Sequence, residues 1–246
     1  GAAVAFVLSG MLSVAAVLLL RGILEPARAA MPPRHPLLEL KDGAQWVWRS
    51  DLLRPIMFTS IAWNIAWFML QAAYVPYAMN DLGLNASGVG ITLATYGVGM
   101  ILGSLMASRI VARIPFGVAI LLGPFFSVAA ASVMALTHWV PAFAVAGAAY
   151  FLFGFGPIIW TITSTTLRQS VTPNTMMGRV TAINIVAGTG ARPLGALLGG
   201  FVGEMGSDLT SLLVVVAGFA VQAIVITLSK VRTLKSLSDA REGSGV

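Results

Sequence analysis

One arginine lies in the middle of a long apolar stretch of this sequence. Arg192 is the only charged residue between Val180 and Gly203, and Pro193 follows it directly. In a helix it would lie about 12 residues, or roughly 18 Å, from one end of the stretch, and an arginine at the centre of a membrane helix costs about 2.5 to 3.5 kcal/mol. We therefore expect a partner: a carbonyl freed by Pro193, an anionic substrate, or a carboxylate outside this chain. A structural arginine satisfied by carbonyls and water is the alternative.

The residues that share a helical face with Arg192 are small or polar. At about 100° per residue, one arc carries the following set: Thr181, Asn184, Gly188, Arg192, Gly195 and Gly199. This face predicts that the guanidinium points into the protein rather than into lipid. Asp81, Glu204 and Asp208 all fall at the ends of apolar stretches, so the sequence offers no carboxylate at the depth of Arg192.

A second set of polar and aromatic residues lies on the stretch 55–79. Five of them fall within an arc of roughly 100°: Trp63, Asn64, Trp67, Gln71 and Tyr74. The opposite side is apolar and would suit lipid: Phe58, Ile61, Ile65, Phe68, Met69 and Ala72. Because unpaired amides are costly in hydrocarbon, the pattern favours a helix that lines a cavity. Hydrogen bonding between helices by Asn64 and Gln71 is the alternative.

A third polar face occurs on the stretch 141–165. It carries the following residues: Tyr150, Gly154, Pro157, Thr161 and Ser164. The run Phe153-Gly-Phe-Gly-Pro157 predicts a kink near the middle of that helix, because proline removes a backbone hydrogen bond. The spacings Gly99-xxx-Gly103 and Gly195-xxx-Gly199-xxx-Gly203 predict close helix packing.

Composition indicates a membrane protein rather than an enzyme or a nucleic-acid-binding protein. Hydrophobic residues make up 57% of the chain and charged residues 10%, against about 25% charged in an ordinary soluble domain. The sequence has no cysteine and only two, well separated, histidines. We expect no metal, no cofactor and no catalytic residues. The net charge of +6 comes from short basic segments between apolar blocks, which favours membrane topology over nucleic-acid binding.

Seven apolar stretches are long enough to cross a bilayer. They are continuous rather than alternating, which favours helices over barrel strands. Their predicted bounds are 2–20, 55–79, 89–108, 116–136, 141–165, 180–202 and 209–229. The expected fold class is an all-α integral membrane protein with seven transmembrane helices.

The basic residues outside these stretches fall in alternate connections. They are Arg21, Arg28, Arg34, Lys41, Arg49 and Arg54 in the first, Arg109 and Arg113 in the third, Arg168 and Arg179 in the fifth, and Lys230, Arg232, Lys235 and Arg241 in the tail. By the positive-inside rule, the odd connections and the C-terminus are cytoplasmic. We expect a multi-pass protein of the cell membrane, plasma or inner.

Four segments follow from this organisation. Residues 1–20 are expected to be the last helix of a half that lies outside this chain, because no positive leading region marks them as a signal peptide. Residues 21–54 form a cytoplasmic connection whose amphipathic helix either lies on the membrane surface or packs on the bundle. Residues 55–229 form a six-helix bundle, and 230–246 form a basic tail.

The order of these elements resembles the second half of a major facilitator superfamily transporter that begins with its sixth helix. The order is one helix, a long basic connection, six helices and a basic tail. The segment Glu39-Leu-Lys-Asp-Gly-Ala-Gln-Trp-Val-Trp-Arg-Ser-Asp-Leu-Leu-Arg54 resembles the lead into the seventh helix in the branch of enterobactin and macrolide exporters. The segment Leu167–Val180, followed by Arg192–Gly200, is similar to that branch's tenth connection and eleventh helix.

The resemblance also indicates candidate residues in the cytoplasmic connections. At one of these connections the sequence departs from the family's pattern. The superfamily's loop motif between its eighth and ninth helices survives only as Gly103, Arg109 and Arg113, with Ser108 where an aspartate often precedes the arginine. A carboxylate latch at that loop is therefore not expected. The candidates for gating are Gly103, Arg109, Arg113, Arg168, Gly178 and Arg179.

The resemblance implies a secondary active transporter that exports a small amphipathic molecule, drug-like or siderophore-like, by alternating access and coupled to an ion gradient, by expectation of protons. The substrate path would include Trp63, Asn64, Trp67, Gln71, Tyr74, Tyr150, Pro157, Thr161, Asn184 and Arg192. Its partners would be the substrate, the coupling ion, the lipid bilayer and the missing N-terminal half. A seven-helix receptor and a membrane scaffold without transport activity are the alternatives.

Overall fold

The structure is a computed structural model, and it describes residues 2–21 and 35–243. All regular structure in these ranges is helical, as expected. The helices are α1 Ala2–Leu20, α2 Pro36–Arg49, α3 Leu53–Asn80, α4 Ala86–Val111, α5 Phe116–Leu136, α6 Phe143–Ser170, α7 Met177–Met205, α8 Asp208–Thr227 and α9 Leu237–Gly243. A short 3-10 helix, Lys230–Thr233, follows α8. Arg28 and Arg34 of the predicted connection lie outside the described residues.

Six helices, α3 to α8, are long and apolar enough to cross a membrane. α1 has the predicted bounds, but its apolar part, Phe6–Leu20, is shorter than a full span. The seventh crossing therefore stays a prediction. Among the described residues, those up to His35 form one compact unit, and those from Pro36 onward form a second. All that follows concerns the second unit.

Several membrane helices extend beyond the apolar stretches that predicted them. α5 begins and ends where expected, whereas α6 continues to Ser170 and α7 begins at Met177. Arg168 and Arg179 lie in these extensions. Hydropathy marks only the part of a helix that suits hydrocarbon, and the backbone hydrogen bonds continue the helix into the polar region.

The six helices pack side by side in the order α4, α6, α5, α8, α3, α7. α4 and α5 both pack on α6. α7 and α8 pack on α3 in the corresponding way. The arrangement is unchanged when α3, α4 and α5 are exchanged with α6, α7 and α8. The bundle therefore consists of two equivalent groups of three helices, with α3 and α6 in corresponding positions.

Glycine contacts repeat in the two equivalent helix pairs. Gly99 and Gly103 of α4 lie against backbone carbonyl groups of α6, and Gly195 and Gly199 of α7 lie against backbone carbonyl groups of α3. A methyl group at any of these four positions would overlap a carbonyl oxygen. At these four glycines the structure shows the close packing that the sequence predicted, at matching places in both groups. A methyl group at Gly203, the third glycine of the predicted series on α7, would have no neighbour within 4 Å among the described residues, so the prediction is wrong there.

Each end of the bundle has its own apolar core. One core joins Leu53, Phe116 and Val180, near the starts of α3, α5 and α7, to Leu167 and Ile226, near the ends of α6 and α8. The helices therefore alternate in direction. We call this end the basic end, since it carries the following residues: Arg54, Arg109, Arg113, Arg168, Arg179 and Lys230.

Helix α2 packs on the basic end of the bundle, against α7 and α3. Val47 is fully buried in the core there. Leu37 and Trp48, which the sequence places near Val47 on one helical face, are exposed. Of the two positions considered for this helix, the structure shows packing on the bundle, with apolar side chains still facing outward.

Candidate functional site

An aromatic cluster forms part of the second apolar core and joins α3, α4 and α6. The Trp63 and Trp67 rings of α3 are stacked, with centroids 5.3 Å apart. Trp67 also contacts the Tyr96 ring of α4 at 5.2 Å and the Phe153 ring of α6 at 5.1 Å. Tyr150 of α6 contacts Trp67 and Tyr74 edge-on. We call these six residues the aromatic cluster.

Hydrogen bonds fix the polar atoms of Trp63, Tyr74 and Tyr150. The Tyr150 hydroxyl donates to Gln71 Oε1 at 2.9 Å, and Trp63 Nε1 donates to Ser127 Oγ of α5 at 3.2 Å. The Tyr74 and Thr92 hydroxyls bond to each other. These bonds hold the ring planes and leave the Gln71 NH₂ group as a donor that the Tyr150 contact does not use.

Exposure divides the residues of this site into two groups. Tyr74 and Tyr150 are 1% and 0% exposed, so they belong to the packed core in this conformation. Trp63, Gln71 and Tyr96 are partly exposed. The surface that a ligand could meet here therefore combines an indole, a carboxamide and a phenol.

Arg192 of α7 reaches α3. Its Nε donates to Oδ1 of Asn64 at 3.1 Å, while Asn64 Nδ2 donates to the Ser60 carbonyl oxygen at 2.9 Å. The guanidinium carbon lies 5.4 Å from the centre of the Phe68 ring, a cation–π distance. Asn64 is buried, whereas Arg192 is exposed. The amide partner differs from all three that the sequence suggested.

The predicted lipid-facing side of α3 needs correction. The backbone of Ile65 and Met69 lies against Gly195 and Gly199 of α7, and Met69 is only 5% exposed. Phe68 lies under the Arg192 guanidinium. The face that was expected to meet lipid is therefore partly covered by α7, at Ile65 and Met69, while Phe58 and Ala72 on the same face are exposed.

Three path candidates lie apart from the aromatic cluster. The Thr161 hydroxyl donates to the Pro157 carbonyl oxygen at 2.9 Å, and Asn184 Nδ2 donates to the Val180 carbonyl oxygen at 2.9 Å. Both side chains thus bond within their own helices. α6 is helical throughout Phe143–Ser170, and the kink at Pro157 stays a prediction.

At the basic end, Arg179 connects α7 to α2. Its Nη2 lies 3.4 Å from Glu39 Oε1, and its Nη1 lies 3.4 Å from Asp42 Oδ2. A methyl group at Gly43 would be 2.8 Å from the Arg179 carbonyl oxygen, so glycine lets the two backbones approach. We call Glu39, Asp42, Gly43 and Arg179 the α2 clamp.

The other gating candidates have separate surroundings. Gly103 is buried against α6, and Arg109, Arg113 and Gly178 are exposed at the basic end. Arg168 is partly buried, and its Nε has no hydrogen-bond partner within residues 2–21 and 35–243. Of these candidates, Arg179 is the one that the structure places in an ion-pair cluster with α2.

Within residues 2–21 and 35–243, no group of three His, Asp or Glu side chains is placed to hold a metal ion. Sequence reasoning missed Tyr96 and Ser127 in the central site. Tyr96 is the one aromatic residue in α4, which is a usable signal. Ser127 lies among small apolar residues, and only the fold shows that it meets Trp63.

The bundle has two equivalent groups of three membrane helices, and aromatic side chains of the corresponding helices α3 and α6 meet in it. Such an arrangement is typical of membrane transporters built from internal repeats. A comparison with protein families matches residues 1–196 to the Major Facilitator Superfamily. The chain belongs to this superfamily and is a membrane transporter, which favours transport over enzymatic, receptor or scaffold roles. No curated protein matches the chain closely enough to count as a relative.

Proposed function

We propose that this chain forms the C-terminal half of a secondary active transporter that exports a small amphipathic aromatic molecule. The observation that carries the proposal is the exposed Arg192, which contacts Asn64 and Phe68 but no carboxylate of the described residues. Trp63 and Gln71, which precede Asn64 by one residue and follow it by two helical turns on α3, are also partly exposed. A planar ligand with an acidic or polar group would stack on the indole and bond to the amide and guanidinium.

The exposure of these groups argues for a water-filled cavity or a second helix bundle on this side. A guanidinium and a carboxamide facing lipid would be costly. α4 and α7 are at the two ends of the helix order and are the least buried spans. A missing N-terminal half packed on them would enclose the path, and rocking between the halves would give alternating access.

Coupling and direction rest on the resemblance to the enterobactin and macrolide exporter branch. In the described part of the chain, the Asp and Glu residues lie in the terminal turns of α3 to α8 or outside these helices. A proton-coupled mechanism would therefore take its membrane carboxylate from the other half. By the same resemblance we propose that protons moving down their gradient drive the efflux, and that the protein lies in the plasma or inner membrane.

Transport can be tested with a fluorescent amphipathic dye in cells that express the complete gene. Gln71→Ala should lower efflux because it removes the acceptor of Tyr150 and a donor to the substrate. Gln169→Ala makes the same chemical change at an exposed site near the end of α6 and serves as the control. Equal efflux, per molecule in the membrane, in both variants and the parent would refute the assigned path.

The orientation of the helix bundle in the membrane is tested separately. Single cysteines can be introduced into this cysteine-free sequence at exposed positions such as Asn174 and Ser87. If the basic end is cytoplasmic, an impermeant thiol reagent labels the cysteine at 87 in intact cells and spares that at 174. The reverse pattern would invert the topology.

A further inference from the structure

A cavity of about 370 Å³ lies at the basic end, between the start of α3 and the end of α8. Its lining shares no residue with the aromatic cluster. Asp51, Arg54 and Lys230 form its polar part, and Phe58, Val225 and Leu228 form its apolar part. A cavity that is polar on one side and apolar on the other matches the boundary between headgroups and hydrocarbon.

The polar part has a net positive charge. Lys230 Nζ lies 2.6 Å from Asp51 Oδ2, and Arg54 Nη2 lies 3.8 Å from Asp51 Oδ1. The hydrogen bond from Lys230 keeps the pKa of Asp51 below its ordinary value, so one carboxylate faces two cations. Arg54 and Pro55 also lie in the first turn of α3, whose dipole is positive at this end.

The apolar part continues toward a second cavity of about 240 Å³, lined by Phe125, Ala223, Ile224, Thr227 and Leu228. Leu228 lines both cavities and is 77% exposed. The second cavity lies up to two turns deeper along α8, at the depth of acyl chains. The two cavities therefore offer a charged site and a neighbouring hydrocarbon site on the same surface.

An aromatic pair marks this region as interfacial. The Trp48 ring of α2 packs edge-on against the Phe58 ring at 5.8 Å, and Trp48 is 58% exposed. Tryptophan is enriched where membrane helices meet the headgroups. The cavity thus lies where a phospholipid places its phosphate.

We propose that Arg54 and Lys230 bind the phosphate of an anionic phospholipid, with one acyl chain passing Leu228 into the second cavity. Basic pockets between membrane helices are suited to anionic headgroups, and charge-assisted bonds from Arg and Lys are the strong ones. Inorganic phosphate shares the same chemistry but cannot use the apolar surface. The site is independent of the transported molecule.

The test is lipid binding to the purified chain in detergent, followed by native mass spectrometry. Phosphatidylglycerol and phosphatidylcholine with identical acyl chains are titrated separately, and inorganic phosphate is added as a competitor. We expect preferential retention of phosphatidylglycerol and little competition from phosphate. Displacement of the lipid by an equal concentration of phosphate would overturn the assignment to a lipid.

Variants locate the site. The double change Arg54→Gln with Lys230→Gln should weaken phosphatidylglycerol binding about tenfold, because each basic residue near the headgroup contributes. The double change Lys41→Gln with Lys235→Gln removes the same charge from exposed positions outside the cavity and should have little effect. Equal weakening by both pairs would contradict the site.

A variant that binds more lipid distinguishes loss of the site from misfolding. Asp51→Asn removes the carboxylate that occupies both cations and should strengthen phosphatidylglycerol binding severalfold, while phosphatidylcholine binding stays unchanged. A misfolded variant would not show this selective gain. If Asp51→Asn binds phosphatidylglycerol no better than the parent, the proposed contact of Arg54 and Lys230 with the phosphate is wrong.

Discussion

Arg192 on α7 and Asn64 on α3 are joined by a 3.1 Å hydrogen bond across the packing of the two helices. The amide oxygen satisfies one donor of the guanidinium without neutralising its charge. The bond therefore positions a cation and leaves it able to meet an acidic group.

The first prediction concerns that charge. Arg192→Gln should insert into the membrane and keep a polar partner for Asn64, yet transport should fall at least tenfold if the cation contacts an acidic group in the transport cycle. Arg192→Lys should retain part of the activity, because it keeps the charge but loses the planar fork. Transport is measured per molecule in the membrane. Normal transport by Arg192→Gln would make the arginine structural.

The second prediction concerns the α2 clamp. Arg179→Gln removes both ion pairs to α2. The free energy of unfolding should fall by about 1 kcal/mol or less, because the acidic partners are partly exposed. Hydrogen exchange in α2 should become faster while exchange in α5 and α8 is unchanged. Arg49→Gln, an exposed arginine at the end of α2, is the control. Unchanged exchange in α2 would show that the packing of Gly43 and Val47 holds this helix without the ion pairs.

The third prediction concerns the glycine contacts. A methyl group at Gly154 would overlap the Tyr96 carbonyl oxygen, so Gly154→Ala should separate α4 from α6 and destabilise the bundle by about 1 to 3 kcal/mol. Gly190→Ala meets open space and should be neutral or slightly stabilising, since alanine favours helices. Thermal unfolding in detergent measures both. Similar melting temperatures for the two variants would contradict the close packing.

The sequence predicted the membrane helices well because a bilayer allows few alternatives to long apolar helices. It also predicted close approach at Gly99, Gly103, Gly195 and Gly199 from spacing alone. It did not predict which helix covers each face, since periodicity gives directions around one axis and says nothing about neighbours. Phe68 was therefore assigned to lipid although it lies under Arg192.

The fourth prediction concerns pH at the end opposite the basic end. Partial burial and the neighbouring Asp208 carboxylate raise the pKa of Asp81. A raised pKa means that protonated Asp81 stabilises the fold below its ordinary value of about 4, and that this stabilisation is lost as pH rises through the raised pKa. Asp81→Asn should therefore raise the melting temperature at pH 7 but not near pH 4.

Asp239, whose pKa is shifted in the opposite direction, provides a control for that experiment. Hydrogen bonds from Ser236 lower the pKa of Asp239, so its contribution is present above about pH 4 and is lost on acidification. Asp239→Asn should not raise the melting temperature at pH 7. If Asp81→Asn changes the melting temperature equally at both pH values, the Asp81 and Asp208 pair has no role in the pH dependence.

The last prediction separates a structural from a functional Arg192. Asn64→Asp would place a carboxylate at hydrogen-bond distance from Arg192 Nε and form an internal ion pair. The melting temperature should be maintained or raised, because the guanidinium gains a charged acceptor. Transport should nevertheless fall sharply, since the new carboxylate competes with the acidic group that Arg192 is proposed to meet. Asn64→Ala, which removes the acceptor and leaves the charge free, should lower stability but retain more transport than Asn64→Asp. The opposite order, with Asn64→Asp active and Asn64→Ala inactive, would mean that the helix pair needs the contact and that the substrate does not need the charge.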